Sequence, residues 1–196
     1  IADPPAVAEA ERTASPRGPE SAASAGLPAR FWRFLAVVAL FLLGGSSNMF
    51  LLLRAEDLGI AKEQVPMLWA LTALTAATLG PPLAAWTDRV GRVGVMRVGW
   101  VIYAVFYLLL AWSALPAIAL WLLFGAYGVF MAATEGIEKA LIADLVPRDR
   151  LGRAFGGFNL VGGLMLLPAS LVFGWLWQGV DVAVAFGFSA ACAGLA

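Results

Sequence analysis

Long apolar segments constrain this chain more than any other feature of its sequence. A helix that crosses a membrane needs roughly 20 mostly apolar residues, because about 30 Å of hydrocarbon must be spanned at about 1.5 Å per residue. The chain has 196 residues, of which 61% are hydrophobic and 13% are charged, a balance more apolar than soluble domains show. Five segments are long enough to cross and a sixth is shorter; they lie at 31–53, 66–86, 95–112, 117–134, 157–177 and 182–196.

The composition of these segments favours helices over membrane strands. Runs such as FLAVVALFLL and IALWLLFGAYGVFM lack the two-residue alternation of β-barrel strands. In a helix every backbone group is satisfied within its own segment. We therefore predict an all-α, polytopic membrane helix bundle over residues 30–196, with five complete spans and a truncated sixth.

The first 29 residues differ sharply from the rest of the chain. They are rich in Ala, Pro, Ser and Glu and contain no apolar stretch, which indicates a disordered linker and not a signal peptide. The sequence starts at Ile1 and ends inside an apolar run. We therefore expect a fragment of a longer protein.

Several classes of function are disfavoured by what the sequence lacks. It contains no His and a single cysteine, Cys192, so neither a disulfide nor a metal site is expected, and no cofactor is predicted. Without a clustered nucleophile and base, we do not expect an enzyme. Basic and acidic residues balance at 13 each, which offers no positive field for nucleic acid.

Basic residues alternate between the loops and so predict the orientation in the membrane. Only Arg54 and Lys62 fall on one side, whereas nine fall on the other. Because cytoplasmic loops accumulate Lys and Arg, we expect the nine-residue side and the linker to be cytoplasmic. Eleven of the 13 basic residues are Arg, a bias that suggests a GC-rich bacterial genome. Together with the apolar spans, this predicts a multi-pass protein of the bacterial inner membrane. The nine are Arg30, Arg33, Arg89, Arg92, Arg97, Lys139, Arg148, Arg150 and Arg153.

A charged stretch, WTDRVGRVGVMR at 86–97, joins the second and third spans. Its core, Asp88-Arg89-Val90-Gly91-Arg92, resembles the loop signature of the major facilitator superfamily, G-x-x-x-D-R-x-G-R-R. Ala84 and Val93 depart from that pattern. A Gly lets the chain turn without a steric clash, Arg side chains reach headgroups or carboxylates, and an Asp suits the N-terminus of a helix.

Other stretches agree with this resemblance. ADLVPRDRLGRAFGGFN (143–159) is similar to the later inner loop of the superfamily, P-x-x-x-R-G-x-A-x-G, although Leu151 stands where an Arg is expected and Arg150 comes one place early. NMFLLLRAEDLGI (48–60) and TEGIEKALIADLVP (134–147) resemble the seventh and tenth helices of bacterial members. The residues of the inner loop that match are Pro147, Gly152, Ala154 and Gly156.

The resemblance implies the C-terminal six-helix half of a secondary transporter. Such a protein moves a small solute between two halves by alternating access, with a proton as a candidate coupling ion. Its partners would be the lipid bilayer and the N-terminal six-helix half of the same polypeptide. Asp88, Arg89, Gly91 and Arg92 would then form an inner gate, the alternative being that the basic residues only keep this loop inside.

Polar residues at membrane depth are costly and tend to mark pathways. Asn48 follows Gly44-Gly45-Ser46-Ser47 and is a candidate for substrate binding, although close helix packing with interhelical hydrogen bonds is the alternative. Glu135 and Glu138 share a helix face and are candidates for binding a proton or substrate, but Glu135 also precedes Lys139 by four residues, which favours a solvated ion pair. Arg54 is a weaker candidate, because charges at helix ends are usually anchors.

A second class of function stays open on the sequence alone. The same helices could form a membrane module that does not transport, such as an assembly or sensor subunit. An upstream segment with six further spans and a similar D-R-x-G-R loop would favour transport.

Overall fold

The computed structural model describes residues 26–112 and 114–196, with the backbone but not the side chain of Asp88. Of the predicted linker, only residues 26–29 fall within these ranges. The expectation of disorder for the rest of it concerns residues outside the described ones.

Seven α-helices and two 3₁₀ turns make up the described part of the chain, which contains no β-strand, so the predicted all-α fold is confirmed. By length and composition, five stretches could cross a membrane, and the 14-residue final helix is shorter. The turns cover Lys62–Gln64 and Arg148–Arg150. The helices are α1 (Ala29–Gly44), α2 (Asn48–Asp57), α3 (Val65–Val90), α4 (Arg92–Ala111), α5 (Ala117–Leu145), α6 (Leu151–Gly179) and α7 (Val182–Leu195).

The first membrane span consists of two helices, α1 and α2, separated by three residues. Gly45 is extended, with φ −75° and ψ 105°, and the Ser47 hydroxyl caps α2 by accepting a hydrogen bond of 3.4 Å from the Met49 amide. Serine suits such a cap better than a helix interior, because its side chain competes for backbone hydrogen bonds. The Gly-Gly-Ser-Ser run thus interrupts a stretch that would otherwise be continuous.

α5 and α6 extend furthest beyond the apolar segments from which they were predicted. α5 continues to Leu145, past the predicted limit of 134, and α6 begins at Leu151 instead of 157. The added residues include Glu, Lys, Ala and Leu, which are good helix formers although some are charged. Hydropathy marks the part of a helix that can lie in lipid, whereas propensity and capping decide where the helix ends.

Close contacts between helices occur at small residues, as is common in membrane bundles. A Cβ added to Gly99 of α4 would lie 2.8 Å from the Thr134 Cγ2 on α5. A Cβ added to Gly128 of α5 would lie 2.5 Å from the carbonyl oxygen of Thr72 on α3. α5 therefore packs against α4 on one side and α3 on the other, at positions where no larger residue fits without a shift.

An aromatic column fills the centre of the bundle. The rings of Tyr103 and Tyr107 stack with centroids 4.2 Å apart, and the Phe106 and Tyr127 rings stack at 4.5 Å. Such pairs contribute roughly 0.5–1.5 kcal/mol each beyond the area they bury. Four of its seven members come from α4, which is consequently the most enclosed span. The aromatic column comprises Phe41, Trp100, Tyr103, Phe106, Tyr107, Tyr127 and Phe130, all buried.

Burial is uneven among the spans. In the most apolar window of each span, 44% of the α4 residues and 39% of the α5 residues are buried, against 11% for the stretches that contain α3 and α6. α3 and α6 therefore present long apolar faces to their surroundings.

The two ends of the bundle differ in charge. At one end, here called the basic end, Arg92 at the start of α4 contacts Asp144 near the end of α5, and Arg150 contacts Gly26 before α1. At the opposite end, Arg54 of α2 lies against the end of α4.

Candidate functional site

The turn between α3 and α4 forms the centre of the predicted signature. α3 runs through Asp88 and Arg89 to Val90, and Gly91 alone separates it from α4. Gly91 has φ +102°, a conformation that residues with a Cβ rarely adopt. The charged stretch at 86–97, predicted to form a loop of about ten residues, therefore contains a single residue outside the helices, because nothing before Gly91 interrupts α3.

Arg92 binds within this chain instead of remaining free. Its Nη1 donates a hydrogen bond of 2.5 Å to the Asp144 Oδ2 and one of 3.2 Å to the carbonyl of Ala140. Both acceptors belong to α5, so the contacts connect the start of α4 with the end of α5. The side chains of Arg92 and Asp144 are 33% and 57% exposed, respectively. An ion pair so open to its surroundings contributes little stability, about 0–1 kcal/mol.

The remaining signature residues are arranged differently. Arg89 is exposed, and it makes no hydrogen bond or ion pair in the described part of the chain. The side chain of Asp88 lies outside the described residues. Of the four predicted gate residues, the structure thus assigns a turn to Gly91 and an internal contact to Arg92.

A small hollow of about 140 Å³ lies beside the signature, between α3 and α5. Ala84 lines it, at the position where the family pattern has Gly, and an added Cβ on Gly136 would meet nothing within 4 Å. The hollow therefore has room for side chains of a neighbouring helix. The rest of its lining is Thr87, Arg92, Ala132, Ala133, Ile137 and Ala140.

The second family-like loop ties the start of α1 to the start of α6. The Arg150 Nη1 donates a hydrogen bond of 2.8 Å to the carbonyl of Gly26, and its Nε lies 3.4 Å from the Asp149 Oδ2. Arg150, which precedes the Arg position of the family pattern by one place, thus contacts the backbone just before α1. A small apolar cluster beside it comprises Phe31, Leu35, Ile142, Val146 and Ala154.

Asn48 is exposed at the start of α2, and no hydrogen bond of its side chain occurs in the described part. The interhelical hydrogen bonds expected here come from its neighbours. The Ser46 Oγ and the Tyr107 hydroxyl lie 2.9 Å apart, and the Tyr103 hydroxyl donates to the Gly44 carbonyl at 3.2 Å. Packing hydrogen bonds therefore form at this break without using Asn48.

Glu135 and Glu138 lie inside α5, not at its end, because the helix continues to Leu145. Glu135 is exposed and Glu138 is half-buried. No ion pair joins Glu135 to Lys139 among the residues described, so the expected helical pair does not form. In the same residues, no group of three or more acidic or cysteine side chains could hold a metal ion.

Arg54 is buried and caps a neighbouring helix. Its Nε donates a hydrogen bond of 2.9 Å to the Leu110 carbonyl, and its Nη2 donates one of 3.4 Å to the Trp112 carbonyl. The last carbonyls of a helix have no partners within it and carry partial negative charge, so a guanidinium stabilises them. This geometry favours the anchor interpretation of Arg54 over substrate binding.

The four substrate- or proton-binding candidates are not connected in the described structure. No hydrogen bond or ion pair links Asn48, Arg54, Glu135 and Glu138 to one another.

Sequence reasoning missed Asp144, because no regular spacing in the sequence relates it to Arg92. It also missed Tyr103 and Tyr107, although their four-residue spacing places both hydroxyls on one face of α4.

Comparison with known proteins adds a family to this geometry. The model of the Major Facilitator Superfamily matches residues 33–196. An uncharacterized MFS-type transporter of Methanocaldococcus jannaschii is 35% identical over 158 residues, which are 78% of this chain and 39% of that protein. The class E tetracycline resistance protein of Escherichia coli is 29% identical over 138 residues, which are 68% of this chain and 32% of that protein.

The chain spans about two-fifths and one-third of the lengths of these two relatives. No solved structure matches it significantly.

Proposed function

We propose, from the premise that this chain belongs to the major facilitator superfamily of membrane transporters, that it is the C-terminal half of a secondary transporter. It moves a small solute by alternating access together with an N-terminal six-helix half of the same polypeptide. As a member of this family with several apolar spans, the chain is a multi-pass membrane protein. We further propose that its membrane is the bacterial inner membrane and that the basic end of the bundle faces the cytoplasm.

The observation that carries the proposal is the exposure of α3 and α6. Both belong to stretches long and apolar enough to cross a membrane, yet only 11% of their most apolar windows is buried. Lipid can cover part of each helix, and the remainder suits the wall of a cavity that a second half completes. The family match then identifies the process such a cavity serves.

The signature turn is the inner gate in this proposal. Gly91 reverses the chain, and the contact between Arg92 and Asp144 holds the turn on α5. Arg89, which is exposed and makes no hydrogen bond or ion pair in the described part of the chain, is available to the other half, and Asp88 is the proposed acidic member of the gate. Ala84 and Gly136 leave space beside them for an approaching helix. Charge contacts at this point would form in one access state and break in the other.

The gate is tested by Asp88→Asn in the complete transporter, reconstituted in liposomes. We expect uptake or efflux to fall at least tenfold, because the amide cannot make a charge-assisted contact with the other half, with the amount of inserted protein unchanged. Asp149→Asn is the matched control: it removes a carboxylate at the same end, beside Arg150, and should leave transport near that of the parent. The assay is run with several candidate solutes, and tetracycline is one of them because one relative is a tetracycline resistance protein.

Transport unaffected by Asp88→Asn would remove the gate and leave the turn a topological feature. Failure of the complete polypeptide to move any solute, with or without a proton gradient, would favour a non-transport membrane module.

Glu135 and Glu138 are the proposed proton-binding residues, with Asn48 as the proposed substrate contact. Carboxylates inside a membrane helix without a fixed cationic partner can gain and lose a proton during a transport cycle. Neither glutamate has an ion-pair partner in the described structure, and both lie within α5.

We expect Glu138→Gln, or Glu135→Gln, to abolish the dependence of transport on a proton gradient while downhill solute movement continues. The matched control is Glu63→Gln, at an exposed turn at the opposite end of the bundle. Gradient-driven transport by both α5 variants at the parent's rate would exclude these residues as proton carriers.

A further inference from the structure

The turn between α5 and α6 departs from the family pattern at two adjacent positions, and these two side chains make different contacts. Leu151 stands where the pattern has Arg, and it packs against the small apolar cluster at the basic end. Arg150, one place earlier, binds instead to the segment that precedes α1. Because a helix completes a turn in about 3.6 residues, a shift of one residue moves the charged side chain to a different side of the turn.

Residues 26–28, here called the entering segment, are held by contacts of two kinds. The Arg150 Nη1 donates a hydrogen bond of 2.8 Å to the Gly26 carbonyl. Leu27 packs against the small apolar cluster. Pro28 restricts the backbone between these contacts and α1, because its ring fixes φ, here at −58°. The entering segment is therefore positioned by the α5–α6 turn as well as by α1.

The surface that receives the entering segment is built from three helices. The small apolar cluster includes Phe31 and Leu35 from α1, Ile142 from α5 and Ala154 from α6. Phe31, Ile142 and Ala154 are completely buried. A positively charged donor makes a stronger hydrogen bond to a carbonyl than a neutral donor does. Apolar packing and one charge-assisted hydrogen bond thus act together on a segment of only three residues.

We propose that the α5–α6 turn is a docking site for the connection between the two halves, with Arg150 as its positioning residue. This inference rests on the proposed function, in which an N-terminal half precedes the entering segment. The connection then leaves the C-terminal half at Gly26 and not at the first residue of α1, and residues 26–28 move with this half when access alternates. Because the acceptor at Gly26 is a backbone carbonyl, the side chain at position 150 decides this contact.

The docking site is tested by the distance between two nitroxide labels, at Gly26→Cys and Leu167→Cys, in the complete protein in lipid, with every native cysteine replaced, Cys192→Ala among them. A Cβ on Gly26 meets nothing within 4 Å and Leu167 is 71% exposed, so there is room for both labels. The parent should give a narrow distance distribution. Arg150→Ala should lower the ratio of the narrow to the broad component about tenfold, the change in an equilibrium expected from the loss of one hydrogen bond from a charged donor.

Arg148→Ala is the matched control. Arg148 belongs to the same 3₁₀ turn, is exposed, and makes no hydrogen bond or ion pair in the described part of the chain. Removing it deletes the same charge from the same turn and should leave the distribution narrow.

An exchange variant, Arg150→Leu with Leu151→Arg, tests the position of the charge at constant composition. It restores the Arg of the family pattern, and it should broaden the distribution as Arg150→Ala does. A narrow distribution in this variant would contradict the role of position 150.

A second pair of labels, at Ile118→Cys and Leu167→Cys, reports on the bundle itself, because both positions lie within helices and are well exposed. This pair should give a narrow distribution in every variant. A broadening of it by Arg150→Ala would show that Arg150 holds the bundle together and not the connection, and would overturn the proposal.

The docking site is also overturned if the parent already gives a broad distribution between positions 26 and 167, if Arg150→Ala leaves that distribution narrow, or if Arg148→Ala broadens it equally. The measurement does not depend on transport. A docked segment in a polypeptide that moves no solute would retain the docking site and reject the proposed function, whereas an undocked segment in an active transporter would do the reverse.

Discussion

α4 and α6 are both apolar enough to cross a membrane, yet they are embedded in the protein to very different degrees. The most apolar windows of their spans have similar mean hydropathies of 1.9 and 1.8, whereas 44% of the first and 11% of the second are buried. α4 carries four members of the aromatic column. α6 has large side chains such as Leu164, Leu167 and Leu171 that are 59–71% exposed.

The difference shows that hydropathy and burial are separate properties in a membrane protein. Lipid solvates a leucine about as well as a protein core does, so an exposed apolar face is not penalised as it would be in water. Helix packing instead follows small residues, aromatic stacking and hydrogen bonds. α4 has these features, whereas most of the surface of α3 and α6 is open.

The largest expected effect comes from truncating one large apolar side chain in each of the two regions. Phe106 of α4 is 2% exposed and Leu167 of α6 is 71% exposed. Phe106→Ala should lower the free energy of unfolding by about 3–5 kcal/mol, because it leaves a cavity in the aromatic column. Leu167→Ala should change it by less than about 1 kcal/mol. Reversible unfolding in bicelles measures the free energy of unfolding of both variants. Equal losses of stability would mean that the two regions do not differ in packing.

Replacing a glycine by alanine should change the free energy of unfolding in opposite directions in an enclosed helix and in an open one. Gly128→Ala places a Cβ 2.5 Å from the Thr72 carbonyl oxygen, and we expect a loss of about 1–3 kcal/mol as α3 and α5 separate. Gly163 of α6 has open space around its would-be Cβ, so Gly163→Ala should be neutral or stabilise by up to about 1 kcal/mol. Thermal unfolding of the two variants measures both changes in stability. A destabilising Gly163→Ala would mean that the open face of α6 is packed in the complete protein.

The smallest effect is expected where α4 reaches the basic end and its packing gives way to an exposed ion pair. A double-mutant cycle with Arg92→Gln and Asp144→Asn should yield a coupling free energy below about 1 kcal/mol, because both side chains are at least one-third exposed. Raising the salt concentration should weaken it further. A coupling of several kcal/mol would indicate that this contact belongs to the rigid region after all.

The sequence was a good guide to some of these elements and a poor one to others. Gly91 was identified as a turning residue from its type and neighbours, and the structure places it at φ +102°. The break before Asn48 follows from four consecutive small residues. By contrast, the partner of Arg92 could not be read from the sequence, because Asp144 is 52 residues away and meets it only through the packing of α4 on α5.

The interpretation of Arg54 illustrates the same limit. Its place near a helix end suggested an anchor, but the sequence could not say that its donors go to carbonyls of a different helix. The helical pair expected between Glu135 and Lys139 does not form, since local spacing makes such a pair available without requiring it.

What the sequence determined by itself was the solvent and the class of fold: runs of about 20 apolar residues can satisfy their backbone in lipid only as helices. Local features such as the Gly91 turn and the Gly-Ser break follow from the conformational preferences of single residues. Only the tertiary structure decided which helices are enclosed, that Ser46 binds Tyr107, and that Arg54 caps α4. The physical reason is that lipid removes the hydrophobic difference between the faces of a helix, so packing depends on shape and hydrogen bonds between residues far apart in the chain.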